Sequence, residues 1–223
     1  MEVTQWERRA ITPPQAPALT VAPVVPASGA SVAISVEPAG WEDLAAQVAA
    51  CTKCELHTGR IQTVFGVGAR HAEWLVIGEA PGAEEDKRGE PFVGRAGQLL
   101  NSMLAGIGLA RETVYIANIL KCRPPNNRDP KPDEVLCCEP YLMAQIALLQ
   151  PKLILAVGRI AAQNLLKVQT PIGKLRGQRH AFGPQAIPLI VTYHPAYLLR
   201  SPSEKRRAWE DLLFAQRLFR ELA

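Results

Sequence analysis

A mainly parallel α/β sheet with helices on both faces is the fold class this sequence predicts, and three observations carry it. Four short continuous apolar runs, at residues 74–77, 114–117, 153–157 and 187–191, are of the kind found in strands buried on both faces. Segments with helical apolar spacing lie between and after them. A glycine or a polar residue closes each run, as the exit from a buried strand requires. Strand alternating with helix argues for a parallel sheet, and right-handed crossovers then bring all four strand ends to one edge.

Taken in order, residues 1–40 form a stretch dominated by Pro, Ala, Val and Ser, without helical or strand period, and read as a disordered tether. Its first turns, around Trp6, are a possible anchor for another protein. The charged start of the chain lacks the apolar core of a signal peptide. Order is expected from residue 41 to 223 as one domain. A helix begins at Trp41 behind Gly40, with Glu42 and Asp43 in its first turn. It runs into Cys51 and Cys54, and residues 63–68 read as loop because of their glycines. The first strand ends in Gly78-Glu79-Ala80-Pro81-Gly82 and is followed by a helix over residues 97–107. The second ends in Asn118, with a helix over 133–149; the third ends in Gly158, with a helix over 159–166. The fourth leads into His194, where Pro195 holds the backbone and Tyr197-Leu198-Leu199 project as an apolar tip beside Arg200. A closing helix spans 204–222.

The chain has 223 residues, 48% of them apolar, and a formal net charge of +4. No apolar run is long enough to cross a bilayer, so no membrane is implied. Mild basicity permits an anionic partner such as nucleic acid. The chain is expected to be cytoplasmic and monomeric, and in a reducing compartment five cysteines point to metal or catalytic chemistry before disulfides. Cys51, Cys54, Cys122 and Cys138 supply four thiolates for one soft cation site, with Cys137 also at hand. Spacing alone leaves zinc and an iron–sulfur cluster both open.

The four strand ends collect Gly78, Glu79, Ala80, Asn118, Gly158, Arg159 and His194 at one edge. In open α/β sheets that edge is where ligands bind. Small residues at 78, 80 and 82 let a flat heterocycle approach the backbone. Asn118 offers adjacent donor and acceptor groups that match the N3–H and O4 of uracil, although a flipped amide reads cytosine equally well. Phe92 either stacks on such a base or belongs to the core. The glycine turn lacks both the Lys-Ser/Thr of a phosphate loop and a GxGxxG pattern, which disfavours a nucleotide-binding enzyme. A non-catalytic nucleic-acid module remains the other class of reading.

Gly78-Glu79-Ala80-Pro81-Gly82 with Glu85-Asp86, Pro91-Phe92-Val93-Gly94, Asn118 with Lys121-Cys122-Arg123-Pro124-Pro125-Asn126-Asn127-Arg128, and His194-Pro195-Ala196-Tyr197-Leu198 together resemble the family 4 (iron–sulfur) uracil-DNA glycosylases. The likeness covers residues 41–223. It implies a three-layer α/β/α sandwich around a mainly parallel four-stranded sheet, and hydrolysis of the N-glycosidic bond of uracil flipped out of DNA, leaving an abasic site. It also implies a [4Fe–4S] cluster, and it selects Cys138 over Cys137 as the fourth ligand. On this reading His194 donates a hydrogen bond to the uracil O2 as charge develops there, and Glu79, with backbone from Gly78 and Ala80, lies at the base, either activating water or orienting neighbours. Glu85 and Asp86 are the other carboxylates nearby. Leu198 fills the vacated base stack, while Arg123, Arg128 and Arg200 are the leading phosphate contacts; Lys174, Arg176, Arg179, Lys205 and Arg206 are further basic candidates.

Overall fold

In the computed structural model, residues 40–222 are described. The tether expected over 1–40 therefore lies, apart from Gly40, outside the described residues.

In chain order the elements are α1 (Trp41–Ala49), α2 (Leu56–Gly59), β1 (Val67–Gly68), β2 (Trp74–Gly78), α3 (Ala83–Arg88), α4 (Arg95–Gly106), β3 (Tyr115–Asn118), α5 (Pro132–Leu149), β4 (Leu153–Val157), α6 (Arg159–Leu166), α7 (Ile172–Leu175), β5 (Arg179–Phe182), β6 (Ile187–Thr192), α8 (Pro195–Arg200) and α9 (Lys205–Leu222). The sheet order is β1-β3-β2-β4-β6-β5. The four strands expected from the apolar runs form its parallel centre, with Gly78 paired to Asn118 and Val157 to Thr192. All four therefore end at one edge.

Two further strands correct the four-stranded expectation. β1 adds antiparallel to β3, with Val67 opposite Ile116, inside the segment read as loop. β5 adds antiparallel to β6, with Arg179 opposite Ile190. Neither shows the continuous apolar run of a central strand, because an edge strand covers no core on its outer side.

Along β2 the side chains alternate between two apolar layers. Leu75 and Ile77 join Leu44 and Val48 of α1, Tyr141 and Leu142 of α5, and Ala161 and Leu165 of α6. Trp74 and Val76 join Leu100 and Leu104 of α4, Leu198 of α8, and Leu212 and Ala215 of α9. This is a three-layer α/β/α sandwich. After β2 the chain reaches α4 on the second face, and after the adjacent β4 it reaches α6 on the first. Helices leaving neighbouring strands toward opposite faces open a crevice between their carboxyl ends, which is the switch point of such sheets.

The segment after β6 departs from expectation. Residues 195–200 form the helix α8 rather than an open tip, because Pro195 sits at its first position and His194 caps it. Leu198 consequently faces the core at 1% exposure, whereas Tyr197 is 37% exposed. The Leu198 side chain, expected as an apolar wedge, is thus packed into the core against the second face of the sheet.

Candidate active site at the carboxyl edge of the sheet

A cleft of about 730 Å³ opens at the switch point, within the usual size of a small-molecule site. Glu79, Ala80, Gly82, Phe92, Asn118, Gly158, Arg159, His194 and Arg200 all line it. The residues expected to meet around one heterocycle are thus brought together, although they come from four strand ends and the loops behind them.

His194 is held from two sides. The Ala196 backbone N–H donates to its Nδ1 at 3.1 Å, so Nδ1 is an acceptor and the neutral ring carries its proton on Nε2. Burial, helped by the positive charge of Arg200, pushes its pKa down to about 4. At neutral pH the ring is therefore an uncharged donor through Nε2. Gly158 makes room for it: with φ at +99° and an added Cβ only 2.9 Å from the His194 Cβ, no other residue fits without displacement.

Phe92 packs its ring 5.6 Å from that of His194 at 31°, and it is both a core residue and a wall of the cleft. Its backbone is left-handed, with φ +54°, which costs a non-glycine residue roughly 1–2 kcal/mol. Two clamps hold it there. Glu85 Oε1 accepts the N–H groups of Val93 and Gly94 at 2.9 and 3.0 Å, and Arg111 donates to the carbonyls of Phe92 and Pro91 at 3.2 and 2.5 Å. Asp86 is buried and accepts the Ile61 N–H at 3.0 Å. Both carboxylates beside Glu79 are thus engaged with backbone N–H groups.

Asn118 is 2% exposed, and its Oδ1 is buried without a hydrogen-bond partner. A buried acceptor left unpaired costs roughly 1–3 kcal/mol, so this atom is a place where a ligand donor is repaid in full. Gly78 permits the arrangement: an added Cβ would lie 2.5 Å from both Asn118 Oδ1 and the Phe92 ring. Glu79 completes the floor. Burial, and then the negative charge of Asp129, raise its pKa to about 7 against the opposing pull of Arg159. A carboxylate poised near neutrality is suited to general-base work. Ala80 adds no functional group.

The cations expected to meet phosphate differ from one another. Arg128 is engaged by Glu134, with its two nitrogens 2.9 and 2.5 Å from the carboxylate oxygens, and Arg123 donates to Asn127 Oδ1 at 2.8 Å. Arg200 is exposed at the rim. Of the three residues expected to project as a tip, Tyr197 is the exposed one at the mouth, its ring 5.2 Å from that of Tyr193 and tilted at 43°. Only the helical phase of α8 reveals which of residues 197 and 198 is covered.

Cys51, Cys54, Cys122, Cys137 and Cys138 line a second, small hollow, and all five are free thiols. Arg60 donates to the Cys122 sulfur at 3.1 Å and the Lys121 backbone N–H to the Cys138 sulfur at 3.2 Å, while Cys137 points at the Lys53 carbonyl. Burial pushes the thiols of Cys54 and Cys122 up and that of Cys138 up to about 12. No trio of His, Cys, Asp or Glu side chains among the described residues stands ready to hold a metal ion. No helix among them is long and apolar enough to cross a membrane.

Comparison with known proteins bears on this geometry. Residues 65–213 match the family described as the uracil DNA glycosylase superfamily. A type-4 uracil-DNA glycosylase of Archaeoglobus fulgidus is 47% identical over 177 residues, spanning 76% of this chain and 88% of that protein. Similar proteins of the same description come from Pyrobaculum aerophilum, 44% identical over 73% of this chain and 86% of the relative, and Sulfurisphaera tokodaii, 42% identical over 82% and 84%.

Proposed function

We infer, because the chain belongs to the uracil DNA glycosylase superfamily, that it excises uracil from DNA as a hydrolase of the N-glycosidic bond in base-excision repair. The observation that carries the reading to the level of residues is the meeting of an acceptor, Asn118 Oδ1, a donor, His194 Nε2–H, and a near-neutral carboxylate, Glu79, in one cleft. Uracil within a duplex is out of reach of that cleft, so the nucleotide is flipped into it at a cost of a few kcal/mol.

Asn118 Oδ1 accepts the uracil N3–H, an interaction that cytosine, which has no proton there, does not offer. Phe92 covers one face of the base. As the glycosidic bond breaks, its electron pair passes to the uracil ring and negative charge gathers on O2, where His194 Nε2–H donates. Because that donor is neutral, it gives up no proton at rest and interacts most strongly as the charge develops. The sugar becomes cationic at C1′. Glu79, ionised, steadies that charge and takes the proton of the water that adds to C1′; the uracil anion is protonated afterwards by solvent.

Incubation with uracil-containing and matched thymine-containing oligonucleotides, followed by alkali, tests this directly. Strand breaks are expected at uracil alone. Tight binding without breaks would favour the non-catalytic module instead.

The pH dependence has a definite sign. The active form of Glu79 is the carboxylate, so turnover is expected to climb with pH through about 7 and then level off. His194, with its pKa near 4, adds nothing to that limb. In Glu79→Gln the limb disappears along with most of the activity; a variant that keeps the wild-type limb removes Glu79 from this role.

For the cysteines we propose a [4Fe–4S] cluster on Cys51, Cys54, Cys122 and Cys138, with zinc on the same four as the competing occupant. The donor set fits. Four thiols share one hollow free of carboxylates, and N–H donors already aim at the sulfurs of Cys122 and Cys138, as cluster sulfurs require. When bound, the group supplies a structural pin for residues 121–131 and takes no part in base removal. Iron and acid-labile sulfide in equal amounts, with broad visible absorption, are expected of the purified protein; stoichiometric zinc and no colour would exclude the cluster.

A further inference from the structure

The cations around the cleft fall into two groups. On the lip formed by residues 121–134 and the start of α6, charge is already met. Arg128 is held by Glu134, which is 2% exposed, and Arg159 reaches Asp129 at 2.6 Å. Arg123 is committed to Asn127. To turn toward a phosphate, Arg128 has to abandon a buried carboxylate, which is strongly unfavourable. Arg159 merely exchanges one exposed anion for another and gains little.

The opposite lip is built differently. Arg176, just after α7, places Nε and Nη2 each 2.9 Å from the oxygens of Asp211, which is buried in α9. It also donates to the Arg207 carbonyl and lies 4.9 Å above the Tyr193 ring. Arg176 is thereby consumed as a structural tie. Its effect is to draw the chain around Lys174 and Arg179 against the first turn of α9, which carries Lys205 and Arg206. Lys174, Arg179, Arg200 and Lys205 are exposed, and among the described residues none of the four has a carboxylate in ion-pair contact. Residues 171–211 contain seven Lys and Arg against three Asp and Glu, an excess of four that equals the net charge of the whole 223-residue chain. Ile172, two residues before Lys174, and Arg200 itself line the cleft.

We infer that this lip, from α7 and the start of β5 to the end of α8 and the start of α9, holds the phosphates of duplex DNA beside the extruded nucleotide, and that Lys174, Arg179, Arg200 and Lys205 are the contacts. The lip bearing Arg123, Arg128 and Arg159 is structural by the same reasoning. This assignment rests on the uracil-excision reading, and it gives the duplex a side on which to lie. Each phosphate neutralised releases condensed counterions, so each true contact steepens the fall of affinity with salt by about 0.9 in the log–log slope.

The test measures binding of an undamaged duplex oligonucleotide across a series of salt concentrations, where no catalysis intervenes. Lys174→Gln, Arg179→Gln and Lys205→Gln are each expected to flatten the slope by about 0.9, and the triple variant by the sum of the three. Arg123→Gln and Arg159→Gln are expected to leave it where it was. A triple variant with the wild-type slope, or a slope flattened by the Arg123 and Arg159 changes instead, overturns the assignment. Uracil release from single-stranded and duplex oligonucleotides, followed in the same proteins, separates the two readings. No release from the wild type defeats the glycosylase assignment itself, whereas release with unaltered slopes defeats only the choice of lip.

Discussion

Replacing His194 by alanine is expected to lower turnover of uracil-containing DNA by roughly 10²–10³-fold while DNA binding survives far better. One preorganised donor at a developing oxyanion is typically worth roughly 3–4 kcal/mol, because the interaction strengthens only as the charge forms. The structure supplies what such a donor needs. The Ala196 N–H occupies Nδ1, which leaves the proton on Nε2, and burial keeps the ring neutral well below physiological pH. Gly158 and Phe92 set its position from behind and beside. Single-turnover rates and binding of a duplex carrying uracil, measured together, check the result. A variant whose turnover falls only in step with its binding would show that His194 grips substrate and does not act on the leaving group.

Asn118→Ala is expected to reduce kcat/KM for uracil-containing DNA by about 10²-fold and to erode the preference for uracil over cytosine. The deleted carboxamide oxygen is buried and unpaired, so it loses little on meeting a donor and discriminates strongly against a base that has none. Once it is gone, the uracil N3–H is buried without a partner, a penalty of roughly 1–3 kcal/mol. The remaining loss comes from the looser seat beside Phe92. Competition between uracil- and cytosine-containing strands reads the effect. Unchanged selectivity would place recognition elsewhere in the cleft, with the backbone around Ala80 the first alternative.

Of the fold, the four central strands were legible because a strand covered on both faces has to be apolar at every position, and that is a local property. The edge strands were not. Val67 and Gly68 become a strand only through the backbone groups of β3, and the half-exposed β5 only through those of β6. Leu198 illustrates the same limit at the site. Its neighbours read as an apolar tip, yet Pro195 and the capping ring of His194 start a helix whose phase turns Leu198 inward and leaves Tyr197 in solvent. Arg128 resembles a phosphate ligand by type, but the carboxylate that consumes it belongs to α5 and is pinned there by the Lys131 N–H.

Residue order by itself determined which groups are present at the carboxyl edge, an imidazole after the fourth central strand, an amide after the second and a carboxylate in the glycine turn after the first, and elsewhere it supplied four thiols suited to a soft metal. These follow from local pattern, since apolar runs, glycines and prolines act within a few residues of themselves. Tertiary structure alone decided their state. The near-neutral carboxylate of Glu79, the orphaned oxygen of Asn118 and the ties that occupy Arg159 and Arg176 depend on burial and on charges contributed from 30 to 80 residues away along the chain. Solvation and Coulomb energies are functions of distance in space, and only the folded chain sets those distances.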